Sequence, residues 1–279
     1  MQTDASPDLV FYESALDVAV LAARIAGKKI KKVAGHIRPE MIRDKGVHDL
    51  VTDTDEEAQQ LIVDTILEAY PEHHILAEES PEASHHGAQD AEYLWIIDPI
   101  DGTTNFTRGI PPYAVSIALS HHGTLVVGVV LDVAHGDMYT AIAGCGLQIN
   151  ETRCVVSEIS GLSEALITTG FPYRAFGHVD QYLSVLKLFM ERARGVRRPG
   201  SAAVDLAWVA CGRFDGFFET GLKPWDVAAG IVLVREGGGR ISDYHGNAEP
   251  GFDHQVVASN GQIHEEMLDI LAPMQNIYE

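Results

Sequence analysis

The chain has 279 residues, 46% of them hydrophobic and 22% charged, with a formal net charge of −20. This composition supports a sizeable core and excludes wholesale disorder; its short basic stretches, Lys28 to Lys32 and Arg192 to Arg198, make no basic face of the kind a nucleic-acid binder needs. Cys145, Cys154 and Cys211 form no C-x-x-C pair, the N-terminus is polar, and no apolar run reaches the roughly 18 residues of a membrane span, so the expectation is a cytoplasmic protein without disulfides, zinc knuckle or membrane anchor.

In chain order, residues 8–35 predict a long helix, with Leu16, Val20, Ala23, Ile30 and Val33 recurring every three to four positions. A polar loop follows, and Thr54-x-x-Glu57 reads as the capping box of a second helix that Pro71 ends. His74 to Ala77 and Tyr93 to Ile97 read as buried strands, and residues 113–120, 125–131 and 138–142 as antiparallel neighbours with turns at His122-Gly123 and His135-Gly136. The second half alternates: strands at 165–169, 214–218, 239–244 and 256–258, and helices at 180–192, 201–211, 227–236 and about 262–272. This divides the chain into an N-terminal α+β lobe, residues 1–152, and a C-terminal α/β lobe, residues 153–279.

The stretch most informative for chemistry is Trp95-Ile-Ile-Asp98-Pro-Ile-Asp101-Gly-Thr-Thr-Asn105. A buried strand delivers Asp98 at its end, Pro99 fixes φ, and Gly102 permits a tight turn. Two carboxylates three residues apart can point the same way, an arrangement that costs energy unless a hard cation such as Mg²⁺ or Mn²⁺ sits between them. The amides of Gly102, Thr103 and Thr104, at a helix start, suit a phosphate. Asp98-Pro-x-Asp101 also reads as a plain helix N-cap, Asp226 as the N-cap of an apolar helix, Glu78-Glu79 as a solvated acidic loop, and Asp49 to Asp55 as a capping region.

Glu78-Glu79-Ser80, Asp98-Pro-Ile-Asp-Gly-Thr-Thr-Asn105 and Trp225-Asp226-Val-Ala-Ala-Gly230 together resemble the inositol monophosphatase family, as do Asp49-Leu-Val-Thr-Asp-Thr-Asp55 and Gly200-Ser-Ala-Ala203, over about residues 10–270. The resemblance implies a layered α-β-α-β-α fold and hydrolysis of inositol-1-phosphate by activated water. It implies one Mg²⁺ on Glu78, Asp98 and the Ile100 carbonyl, a second on Asp98, Asp101 and Asp226, and a weaker third near Glu78, with Mn²⁺ as a possible substitute. Glu78, Thr103 and Asp55 would be catalytic, the last two orienting water. Asp101, Gly102, Thr103, Thr104, Ala202, Glu219 and Asp226 would contact the substrate. A lithium-sensitive homodimer acting on a small phosphorylated metabolite, with no membrane or direct nucleic-acid partner, is expected. Relatives with the same ligands act on fructose-1,6-bisphosphate, histidinol phosphate, NADP or 3′-phosphoadenosine 5′-phosphate, and a regulatory protein that keeps the fold is the alternative of another class.

Other features read as structural. His73-His74, His85-His86 and His121-His122 lack H-x₃-H spacing and are expected as solvated loop histidines. Gly144-Cys145-Gly146 reads as a hairpin turn, Ser201 as a helix N-cap, and Lys45-Gly46 as part of a loop near the site.

Overall fold

The computed structural model describes residues 7–46, 49–81, 90–172, 176–248 and 254–277. Helix α1 (Pro7–Val33) buries Ala15, Ala19, Ala22, Ala23, Ala26 and Ile30 along one stripe. A hairpin of β1 (Ile42–Gly46) and β2 (Asp49–Thr52) follows, where the polar sequence reads as a loop; Lys45 and Gly46 lie on its first strand. Helix α2 (Asp53–Ala69) packs against α1 through Ala58, Ile62 and Ile66. Its capping box is two residues earlier than expected: the Thr52 hydroxyl accepts the Thr54 amide at 3.2 Å, and Asp55, not Glu57, reaches back to the Thr52 amide at 2.9 Å.

These helices cover one face of a seven-stranded sheet. Its strands run in sequence order: β3 (His74–Ala77), β4 (Tyr93–Asp101), β5 (Ala114–His121), β6 (Thr124–Asp132), β7 (Asp137–Ile142), β8 (Gly146–Ile149) and β9 (Thr152–Cys154). Only the β3–β4 pair is parallel. Helix α3 (Thr103–Arg108) leaves the end of β4. The second sheet is ordered β11-β10-β12-β14-β13, from β10 (Leu166–Thr169), β11 (Gly195–Arg197), β12 (Gly216–Leu222), β13 (Arg240–Ser242) and β14 (His254–Ser259). Helices α4 (Val179–Arg192) and α7 (His264–Leu271) cover its outer face. Between the sheets lie α5 (Ala202–Ala210) and α6 (Pro224–Glu236). The layers therefore run α-β-α-β-α. Among the described residues, no helix is long and apolar enough to cross a membrane.

Side-chain alternation divides the cores. On β4, Trp95 and Ile97 face α1 and α2, while Leu94 and Ile96 face α5 and α6. On β12, Phe217 faces inward and Phe218 outward. The middle layer sits unusually close. A Cβ on Gly128 of β6 would come within 2.6 Å of the Ala229 carbonyl of α6, and one on Gly230 within 2.4 Å of Leu206 on α5. Only glycine allows this spacing, which seats the N-terminus of α6 against the strands.

The histidine pairs depart from expectation. His73 and His121 are half-buried, not solvated, because aromatic rings enclose them. His73 stacks on Tyr70 and Tyr93 and accepts the Trp95 indole N–H at 3.0 Å, and the Tyr12 hydroxyl lies 2.7 Å from His121 Nδ1. His74 and His122 are exposed, and His85-His86 falls outside the described residues.

Candidate metal and phosphate site

Alternation along β4 puts Asp98 on the face of Leu94 and Ile96, toward α6. The strand continues past Pro99 to Asp101, and its register with β5 breaks between Asp98 and Asp101. Neither aspartate therefore caps a helix. Proline, which cannot donate to the ladder, occupies the irregular segment, and Asp98 Oδ1 accepts the Ile100 amide at 2.9 Å. Gly102 then takes φ +90°, a left-handed conformation suited to glycine, and starts α3.

Asp226 arrives from the other half of the chain. It is the third residue of α6, not its N-cap, and its Oδ2 accepts the Lys223 amide at 2.7 Å. Ser116, opposite Asp98 across β4–β5, donates to the Trp225 carbonyl at 3.1 Å and ties the helix start to the strand. One carboxylate oxygen from each of Asp98, Asp101 and Asp226 lies within 4.8 Å of the others.

The surrounding groups sharpen the electrostatics. Asp98 is only 1% exposed. Burial first, then the charges of Glu78, Asp101, Asp226 and Asp55, hold its pKa well above the usual carboxylate range. Glu78, directly after β3, is thus the strongest charged neighbour of Asp98; its amide donates to the Ile97 carbonyl at 3.2 Å. Burial also raises Asp101, but less, because Ser201 Oγ (2.5 Å) and the Ala203 amide (2.7 Å) both donate to its Oδ2, with further help from the Ala202 amide and Arg198. Ser201 accepts the Val204 amide as well and is the N-cap of α5, as expected. A hard divalent cation fits this donor set, since converging oxygen ligands and mutual repulsion both call for positive charge.

Beside the cluster, the Thr103 hydroxyl lies 2.9 Å from the Ile100 carbonyl and 3.2 Å from Asp55 Oδ1. The Asp55 carboxylate is fully buried, and its Oδ2 also accepts the Thr52 hydroxyl at 2.5 Å. The first-turn amides of Thr103 and Thr104 have no acceptor within α3 by helix geometry. On the far side, Glu219 of β12 is buried, and burial pushes its pKa up to about 8 against the pull of Arg198. Gly170 makes room for it. Ala202 is the first residue of α5, next to the Asp101 carboxylate.

Two residues escaped the sequence reading. Arg198 is the cation that acts on Asp101, Asp205 and Glu219 together. Asp205 is buried on α5, its pKa raised well above normal by burial and then by Glu219. Arg198 was legible only as part of a short basic run, and Asp205 only as a charge interrupting the apolar face of Ala202 to Ala210.

Comparison with known proteins establishes the family. The family model described as "Inositol monophosphatase family" matches residues 12–276. The "Nus factor SuhB" of Escherichia coli K12 is 44% identical over 256 residues, covering 91% of this chain and 94% of that one. The inositol monophosphatase structure from Anabaena (Nostoc) sp. PCC 7120 superposes with a TM-score of 0.83 at 36% identity, covering 94% of this chain and 96% of that one. The Thermotoga maritima IMPase gives a TM-score of 0.85 at 34% identity, covering 95% of this chain and all of that one. With the carboxylate cluster at the seam between two sheets and the match running almost end to end, the chain belongs to the inositol monophosphatase family.

Proposed function

We propose that this protein is a Mg²⁺-dependent phosphomonoesterase that hydrolyses inositol-1-phosphate to inositol and phosphate. The observation that carries the reading is the convergence of Asp98, Asp101 and Asp226 beside the Thr103–Asp55 pair and the start of α3. Glu78, Asp98 and the Ile100 carbonyl would hold one Mg²⁺, and Asp98, Asp101 and Asp226 a second, with a weaker third near Glu78. When bound, Mg²⁺ neutralises the carboxylates, polarises the phosphoryl group and acidifies water.

The chain's own groups do the rest. A water hydrogen-bonded to Thr103 gives its proton to the hydroxyl as the hydroxyl gives its own to Asp55. The two donors from Thr52 hold Asp55 in place for this. Amides of Gly102, Thr103 and Thr104 face the phosphoryl oxygens and stabilise charge that grows during attack. Glu219, Ala202 and Asp226 form the polyol side, where Glu219 accepts hydrogen bonds from ring hydroxyls. No covalent phosphoenzyme is needed.

The same reading takes residues 1–152 and 153–279 as the two lobes of a lithium-sensitive, cytoplasmic homodimer. Its test is phosphate release from a panel of phosphomonoesters with Mg²⁺, with and without Li⁺. Absence of turnover on every ester and every divalent metal would sink it, whereas preference for another ester would change only the substrate. A second reading follows from the relatives' name, Nus factor: a regulatory partner protein that keeps the fold. Binding to a macromolecular partner that survives Asp98→Asn would favour it.

A further inference from the structure

The end of the seven-stranded sheet remote from the carboxylates carries a second cluster of side chains of metal-ligand type. There β4 begins and β5 ends, and five rings stack in one file. Tyr70 and His73 lie 4.6 Å apart, His73 and Tyr93 4.5 Å, Tyr93 and His121 4.5 Å, and His121 and His122 4.6 Å. The last step is unusual. Adjacent side chains of a strand point to opposite faces, so His121 and His122 should diverge. The β5–β6 turn prevents this, since His122 has φ +49°, a left-handed conformation uncommon outside glycine, which brings its ring back over His121. The His122 amide donates to the Glu92 carbonyl at 2.8 Å and fixes the turn beside the start of β4.

The result is a convergence of ligand atoms. A ring nitrogen of each histidine and a carboxylate oxygen of Glu92 lie within 4.8 Å of one another. Glu92 and His122 have side chains 60% and 70% exposed, so an ion can reach them from solvent. His121 is already oriented, because Tyr12 engages its Nδ1 at 2.7 Å, and Nε2 is the nitrogen that a metal would then take. Metal-binding histidines are commonly held in this way through the second nitrogen. Asp8 adds negative charge nearby: after burial, its field is the next cause of the raised Tyr12 pKa.

We propose that Glu92, His121 and His122 form a surface site for a divalent first-row transition metal, Zn²⁺ foremost, separate from the carboxylate cluster. Two imidazoles and one carboxylate are a borderline donor set that suits Zn²⁺ and leaves a position for water. The bound ion would pin the β5–β6 turn to the start of β4 and, through Tyr12, to α1.

The test is titration of the metal-free full chain with Zn²⁺ by calorimetry, in excess Mg²⁺, with Co²⁺ as a spectroscopic probe. The expected result is one Zn²⁺ site per chain that persists in Asp98→Asn and shows imidazole-ligated Co²⁺ bands. His122→Ala and Glu92→Gln, both at exposed positions, should each weaken it at least tenfold, and Tyr12→Phe by about 10- to 100-fold through loss of ring orientation. Melting in EDTA at the wild-type temperature shows that the His122, Glu92 and Tyr12 variants are folded. His121→Ala alters the ring stack, so the two exposed variants carry the test if it fails to fold. Equal Zn²⁺ affinity in wild type and folded His122→Ala, or loss of the site in Asp98→Asn alone, would overturn the proposal.

Discussion

Replacing Asp98 by Asn should stabilise the metal-free protein while abolishing the proposed phosphatase activity. Asp98 is buried with its carboxylate oxygen within 4.8 Å of ligand atoms from Asp101 and Asp226. At that separation, with an effective dielectric of about 20, two unit charges repel by about 3.5 kcal/mol. Because burial and neighbouring charge raise the Asp98 pKa, only part of this repulsion acts in the folded protein, and the expected net gain near pH 8 is about 2 kcal/mol, which for a chain of this size is about 4 °C in Tm. Asn keeps an oxygen to accept the Ile100 amide, so no backbone partner is lost.

The pH dependence has a definite sign. Asp98 binds its proton more tightly in the folded state, so the stability it contributes is complete below its ordinary pKa of 3.8 and drains away as pH rises toward the elevated folded value. Melting curves in EDTA from pH 5 to 9 should therefore fall with pH more steeply for wild type than for Asp98→Asn. Saturating Mg²⁺ should flatten the wild-type curve and leave the variant unchanged. A variant less stable than wild type in EDTA at pH 8, or one still stabilised by Mg²⁺ to the wild-type extent, would refute the electrostatic account.

Thr103→Val removes the hydroxyl between Asp55 and the Ile100 carbonyl, and should lower kcat by about 10²-fold with little change in KM, measured by steady-state phosphate release. Gly170→Ala puts a Cβ 1.9 Å from Glu219 Oε1, so the carboxylate must move; KM for inositol-1-phosphate should rise about tenfold, and an unchanged KM would remove Glu219 from the polyol pocket. His264, buried between the Ser242 and Ser259 hydroxyls at 2.9 Å each, has its pKa lowered to about 4 by burial first and Arg240 second. The stability it contributes is present above its ordinary pKa of 6.5 and is lost as pH falls toward 4; His264→Gln should flatten that acid limb in a pH series of melting temperatures.

The carboxylate cluster was legible where its residues carry strong local signals. Asp98 and Asp101 follow a continuous apolar strand, and Gly102 marks the turn that follows. Asp226 follows Pro224 and Trp225 at the start of a long apolar helix, although its capping geometry was misjudged by three residues. β1 and β2 were missed because Ile42 to Thr52 is mostly polar, so hairpin pairing rather than apolar alternation defines them. β8, β9 and β11 have only three or four residues, too few for a period to emerge. Asp205 and Arg198 depend on tertiary proximity, since what makes them notable is the burial of one and the several carboxylates around the other. The histidine pairs show the same lesson in reverse, because their surroundings come from aromatic residues on α1, at the C-cap of α2 and on β4.

The seating of Asp226 against β4 has a consequence for the newly made chain. Glu78, Asp98 and Asp101 emerge early during synthesis, whereas Asp226 follows more than a hundred residues later on a helix that also needs the second sheet behind it. Until then the early carboxylates repel one another with nothing to close the cluster. A ribosome-bound chain would therefore carry most of the acidic side chains yet hold metal weakly, and tight binding would arrive only when the middle helical layer docks. Under the proposed metal assignment, affinity would thus serve as a timer for completed folding, readable on stalled chains of increasing length.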